Sequence, residues 1–153
     1  MNARIHQINV SDGGVPKRPV PEAQVRLTGI RGDRQANRKY HGGPERALCL
    51  FALETIEELR AEGHPIDPGS TGENITTEGV DWARLTPGTR LRLGDEVRIE
   101  ITSYTAPCRN IAASFVEGRF ARISPKLHPG EARLYARVLR EGEIWTGDVI
   151  RLV

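Results

Sequence analysis

Cysteine and lysine are scarce in this chain and long apolar runs are missing, and each shortage closes off a class of function. Cysteine occurs only at Cys49 and Cys108. There is no Cys-x-x-Cys and no second cysteine near a histidine at zinc-ligand spacing, so no structural zinc site is signalled. Two thiols also cannot supply the four ligands of an ordinary iron–sulfur cluster. A reducing cytosol makes a disulfide between them the minority case. No apolar stretch approaches the roughly 20 residues that span a bilayer, so no membrane partner is expected. The start of the chain lacks the apolar core and small-residue cleavage site of a secretory leader, and a cytoplasmic location is expected by default. The net charge of +2 is too small to imply a nucleic-acid partner. Gly-x-Ser-x-Gly, a glycine-rich phosphate loop ending in Lys-Ser/Thr, and a strand–Gly-x-Gly-x-x-Gly–helix fingerprint are all absent, so flavin and nicotinamide sites are not signalled either.

What remains is an ordinary globular composition, 38% hydrophobic and 27% charged over 153 residues, which reads as one domain over 1–153. Lysine is confined to Lys17, Lys39 and Lys126, and the other basic residues are arginine. That bias fits either genome composition or bidentate binding of a phosphate or carboxylate.

Short apolar runs with period two, bounded by glycine, proline and aspartate, recur along the chain and predict a mainly β domain, an all-β sandwich or barrel, rather than an alternating βαβ fold. The clearest hairpin runs from Arg90 to Leu93, turns at Gly94-Asp95 and returns from Val97 to Ile101. Leu91, Leu93, Val97, Ile99 and Ile101 fall on one face, which predicts a buried side and a wet side. Other predicted strands are Arg4 to Val10, Ala23 to Thr28, Ala47 to Ala52, Glu73 to Thr76, Leu134 to Arg140 and Val149 to Val153. Val15 to Pro21 reads as a loop. Leu53, Ile56 and Leu59 predict a helix ended by Gly63, and a second helix is predicted from Pro107 to Val116.

Cys108 carries the most chemical information. With Pro107 at the first helical position, the thiol would lie in the first turn, where free N–H groups and the helix dipole favour an anion. Arg109 adds a charge, and both push toward thiolate, the form that binds metals and carries sulfur. The motif is equally compatible with a free cysteine used as a small apolar residue. Cys49, inside a continuous apolar run, is assigned to the core. A long polar stretch from Gly32 to Gly43 brings Arg34, Arg38, His41, Gly42 and Gly43 between two predicted strands, where binding groups concentrate. Gly69 to Asn74 reads as a glycine turn into a short strand.

Gly32-Asp33-x-Gln35 with His41-Gly42-Gly43, then Gly72-Glu73-Asn74-Ile75-Thr76 with Gly79, then Gly94-Asp95 and Pro107-Cys108, occur in an order and rough spacing that resemble the MOSC domain, named for the C-terminal domain of molybdenum cofactor sulfurases. The likeness covers about residues 20 to 153, including a closing hairpin at Gly147-Asp148. It implies a closed or partly open β-barrel, like that of pyruvate kinase, with two or three short helices. It also implies a molybdenum-pterin cofactor held by Cys108 as metal ligand and catalytic thiol, with His41 positioning groups or handling protons. Arg34, Arg38, Gly42, Gly43, Glu73, Asn74 and Arg109 become the implied cofactor contacts. The implied activity is reduction of N-hydroxylated small molecules with electrons from a separate donor protein. A sulfur carrier charged by a sulfur donor and a non-catalytic anion- or pterin-binding module remain alternatives. Pyridoxal phosphate is not expected, because the sulfurase domain that binds it in fused relatives is not in this sequence.

Overall fold

The structure is a computed structural model and describes residues 2–34 and 43–153. Eleven strands are described: β1 (Arg4–Val10), β2 (Arg18–Val20), β3 (Glu22–Arg26), β4 (Gly29–Ile30), β5 (Leu48–Ala52), β6 (Ile75–Glu78), β7 (Arg90–Leu93), β8 (Val97–Thr105), β9 (Arg133–Arg140), β10 (Gly142–Trp145) and β11 (Ile150–Leu152). Among the described residues one α-helix, α1 (Leu53–Ala61), joins β5 to β6, and the other helical turns are 3-10. An eight-stranded sheet runs β11-β7-β8-β9-β5-β6-β1-β2, with a separate three-stranded sheet β10-β3-β4. The domain is thus mainly β around a large mixed sheet.

No closed barrel forms among the described residues, which corrects the closed form of the expectation. The two ends of the large sheet are nevertheless drawn together. Arg4 bridges Val149, and the backbone N–H groups of Ile5 and Ile150 donate to the carbonyls of Asp148 and Ala3 at 2.9 and 2.8 Å. β5 and β6 are parallel, so the segment containing α1 is a local βαβ crossover, a unit that the period-two reading did not anticipate.

The β7–β8 hairpin forms as its alternation predicts, with Leu91, Leu93, Val97, Ile99 and Ile101 fully buried. Fully burying such a side chain contributes about 1.5–3 kcal/mol. Gly94 takes φ 64 at the turn. Three local expectations are corrected. Within the Pro-rich 15–21 stretch, residues 18–20 pair with β1 as an edge strand, the position that tolerates proline. Gly147-Asp148 does not close a hairpin of β9 with β11, because β10 intervenes and pairs with β3 while β11 pairs with β7. The predicted second α-helix is instead a 3-10 run over Arg109–Ser114, with Cys108 preceding it at φ −140 and ψ 173. The first-turn argument for an ionised thiol therefore has no α-helix to rest on.

Two apolar clusters flank β5, whose residues are all buried. Leu48 and Leu50 pack with the strands of the large sheet, while Phe51 joins Ile56 and Leu59 of α1 and Ile111, Phe115 and Ile123 on the other face. By strand alternation Cys49 shares the Phe51 face. This face, between the sheet and the 3-10 segments, carries a cleft lined by both cysteines.

Candidate functional site

A cleft of about 470 Å³, its open mouth included, is lined by residues from five stretches of chain: Gly14, Val15 and Lys17; Cys49; Thr71 and Gly72; Cys108, Asn110 and Ile111; and Arg133 and Tyr135. Its floor is the outer face of the β5–β9 ladder. Cys49 pairs directly with Tyr135, and Arg133 lies two residues before Tyr135 on the same face of β9. β8 runs beside β9 with Thr105 opposite Arg133, and the chain then passes through Ala106 and Pro107 to Cys108 at the cleft wall. Both cysteines are free thiols, Cys49 buried and Cys108 partly exposed.

The two thiols differ in setting. The Cys49 sulfur lies 4.0 Å from the Thr105 hydroxyl, and burial pushes its pKa up to about 11 against the opposing pull of Arg133. Tyr135 is pushed up to about 12, mainly by burial and secondarily by Cys49, so its phenol stays protonated through the neutral range. The Arg46 guanidinium stands 5.3 Å over the Tyr135 ring. Arg133 is 6% exposed and donates from Nη1 to the Thr71 carbonyl (2.5 Å) and from Nη2 to the Ala106 carbonyl (3.3 Å). It thereby ties the Gly69–Gly72 turn to the segment that leads into Cys108. Ser114 makes a second tie, its hydroxyl donating to that of Ser70 at 2.8 Å.

A buried polar network stands behind the cleft. The Lys17 ammonium donates to Asp33 Oδ1 at 2.6 Å, with the two side chains 3% and 5% exposed. Asp33 also accepts from the Ser11 backbone (2.9 Å) and from Asn74 Nδ2 (2.9 Å), while Asn74 Oδ1 accepts from the Cys49 backbone (3.0 Å). Glu73 accepts from the Gly69 backbone (2.9 Å) and from the hydroxyls of Thr71 (2.9 Å) and Thr76 (3.0 Å), and burial raises its pKa. The turn is shaped by close approach. Gly69 adopts φ +87, and a Cβ there would meet the Lys17 carbonyl at 2.4 Å. Gly72 adopts φ +83 against Val15.

The structure therefore sorts the residues that the sequence suggested. Cys108 lines the cleft. Glu73 and Asn74 are fully buried and do not line it; they hold the turn and the β5 backbone in place. Arg109 and Arg34 are exposed and absent from the lining, Arg34 lying 3.5 Å from Asp12, and Gly43 is exposed before a 3-10 turn. Arg38, His41 and Gly42 lie outside the described residues. Cys49, assigned to the core, is buried as expected yet also contributes to the cleft. Arg133, Tyr135 and Lys17 were not singled out from sequence. Alternation along Arg133-Leu134-Tyr135-Ala136-Arg137 was the available signal, and starting that strand at Leu134 hid its first member.

The MOSC domain pattern matches residues 37–151. Among curated proteins, the chain is 32% identical over 130 residues to a protein named Reductase from Gibberella moniliformis, covering 82% of this chain and 23% of that protein. It is 30% identical over 144 residues to YflK of Bacillus subtilis, covering 92% and 63%, and 32% identical over 100 residues to YiiM of Escherichia coli, covering 61% and 44%. The chain thus spans less than two thirds of the length of each of these relatives. The crystal structure of YiiM from Geobacillus stearothermophilus superposes with a TM-score of 0.76 at 24% identity, over 99% of this chain and 75% of that one. YiiM from Escherichia coli superposes with a TM-score of 0.75 at 22% identity, over 100% and 70%. These superpositions establish a common fold.

Proposed function

The chain belongs to the MOSC domain family, and from that premise we propose that its cleft holds a molybdenum-pterin cofactor with Cys108 as the protein's sulfur ligand, and that it reduces N-hydroxylated small molecules. The carrying observation is the position of Cys108, a free and partly exposed thiol in the wall of the cleft that Cys49, Arg133 and Tyr135 also line. A thiolate is a soft donor suited to such a metal. No group of three histidine, cysteine, aspartate or glutamate side chains suited to a metal occurs among the described residues. That donor set fits a metal arriving already chelated by its own organic ligand. Gly14 and Gly72 are among the lining residues.

When bound, the cofactor would supply two-electron chemistry, with the overall balance R–NHOH + 2 e⁻ + 2 H⁺ → R–NH₂ + H₂O. The residues of the chain itself bind and orient. Arg133 and the Ser114–Ser70 contact fix Cys108 against the Gly69–Gly72 turn, so the thiol is held in place before any ligand arrives. Tyr135 keeps a proton on Oη at neutral pH. Ile111 and Val15 give the cleft apolar walls that exclude water. His41 remains the proposed proton-handling group, and electrons are proposed to come from a separate donor protein. The reductase-named relative favours this reading.

The test is molybdenum content. Protein from a cofactor-competent host should carry molybdenum near one per chain by elemental mass spectrometry, and Cys108→Ser should lose it while its melting temperature stays within about 3 °C of wild type, as for a change of under about 1 kcal/mol. Full retention by Cys108→Ser would refute sulfur ligation. A wild type without molybdenum but with a dithiothreitol-removable sulfur adduct on Cys108 would favour the sulfur carrier instead.

A further inference from the structure

We propose that the cleft floor at Arg133 is a recognition site for a phosphate-type oxyanion, supplied free or as an organic phosphomonoester. Three buried guanidinium atoms lack a hydrogen-bond partner among the described residues: Arg122 Nη1, Arg137 Nε and Arg133 Nε. The first two belong to groups that are already neutralised. Arg122 pairs with Glu62 and Glu131, and Arg137 with Glu45 and Glu100. Arg133 differs. It is 6% exposed, its other nitrogens meet only the neutral carbonyls of Thr71 and Ala106, and it enters no ion pair among the described residues. A cation withdrawn from water without a counter-charge is costly, and proteins pair such groups or offer them to an anion.

The groups around it do not supply that charge. Lys17, the other buried cation of the cleft, is committed to Asp33. The Glu73 carboxyl is held by Gly69, Thr71 and Thr76 rather than by an arginine. Cys49 and Tyr135 both have pKa values raised well above neutrality and remain uncharged. Among the described residues the cleft therefore carries an uncompensated positive charge at its floor, beside two wall segments that Arg133 itself holds. An oxyanion entering the cleft would provide the missing charge and, with a small shift of the wall, an acceptor for Nε. A planar guanidinium is well matched to phosphate oxygens. This inference is independent of metal ligation and concerns the metal-free chain equally.

The experiment titrates the metal-free full-length protein with inorganic phosphate and with phenyl phosphate, at ionic strength held constant with sodium chloride, and reads binding by calorimetry together with the rate of Cys108 alkylation by iodoacetamide. The expected result is saturable binding of at least one probe that slows Cys108 alkylation severalfold, weakened at least tenfold in Arg133→Gln and less in Arg133→Lys, which keeps the charge. Tighter binding of phenyl phosphate would identify an ester as the source, and tighter binding of inorganic phosphate the free ion. Absence of saturable binding of either probe, unchanged affinity in Arg133→Gln, or binding that leaves Cys108 alkylation unaffected would each overturn the proposal. Should Arg133→Gln fail to fold, the wild-type alkylation arm decides by itself. Failure here leaves the molybdenum test standing, and the reverse also holds.

Discussion

The polar wall behind the cleft and the lining of the cleft are made of the same kinds of residue, and they differ in whether their bonding is complete. In the wall, Asp33, Asn74, Glu73 and Asn9, joined by Lys17 from the lining, satisfy one another and the neighbouring backbone, with Asn9 Nδ2 donating to the Glu73 carbonyl at 3.2 Å and to Thr76 Oγ1 at 3.1 Å. In the lining, Cys108 presents a free thiol and Arg133 a charge without a counter-ion. Closed networks specify a structure, and open ones leave capacity for something else. The contrast sets Glu73, Asn74 and Thr76 as the groups that hold the turn and the β5 backbone, and the β9 face as the one on which the proposed recognition rests.

The largest effect should follow from opening the wall. Asp33→Asn leaves the 3%-exposed Lys17 ammonium without a counter-charge, and the expected loss is about 3–5 kcal/mol of unfolding free energy in urea denaturation. A loss below about 1 kcal/mol would mean that the wall is not closed in the sense argued. A smaller effect separates the two sulfurs. At pH 8 Cys108 should alkylate at least about tenfold faster than Cys49 in the native protein, as read by peptide mass spectrometry, because Cys49 is buried with a pKa near 11 while Cys108 is partly exposed. Equal rates would erase the distinction between a closed core thiol and an open cleft thiol.

The smallest effect tests charge pairs on the outer surface, a third setting that belongs to neither region. Hydrogen bonding from Arg90, with the nearby Arg137 charge, holds the Glu100 carboxyl below its ordinary value of 4.5. A carboxylate with a lowered pKa in the folded state contributes stability above the unfolded value, and loses it as pH falls through the folded one. The melting temperature of Glu100→Gln should therefore fall less steeply than that of wild type below pH 4.5. Because Arg90 is 59% exposed, solvent screening keeps the difference to about a few degrees at most. Parallel acid limbs would remove Glu100 from the account.

Much of the fold was legible because burial on one side of a strand writes itself into alternate residues. β1, β5, β7 and the first part of β8 were bounded to within a residue or so by that pattern, and α1 by its apolar spacing and Gly63. Pairing partners were less legible. The parallel β5–β6 contact and the intervention of β10 before β11 depend on which distant strands meet, which no local pattern encodes. At the cleft, Cys108 was legible from its motif. Arg133 and Tyr135 became visible only when β9 was laid beside β5, and Asn74 was seen as motif rather than as the acceptor of the Cys49 amide. The second helix failed as a prediction because a plausible first turn does not secure i→i+4 bonding downstream; the described bonds there are i→i+3, as from Phe115 to Ala112.

The order of strands in the large sheet also governs how this chain can be assembled as it leaves a ribosome. β1 is made before β6 and can pair at once only with β2; its other edge awaits residues 75–78, and the bridge at Arg4 awaits Val149. β7 likewise forms its hairpin with β8 yet keeps its other side bare until β11 is made. These sheet borders thus stay unsealed until residues 148–152 have been made, and that segment is the seam that fastens both margins together.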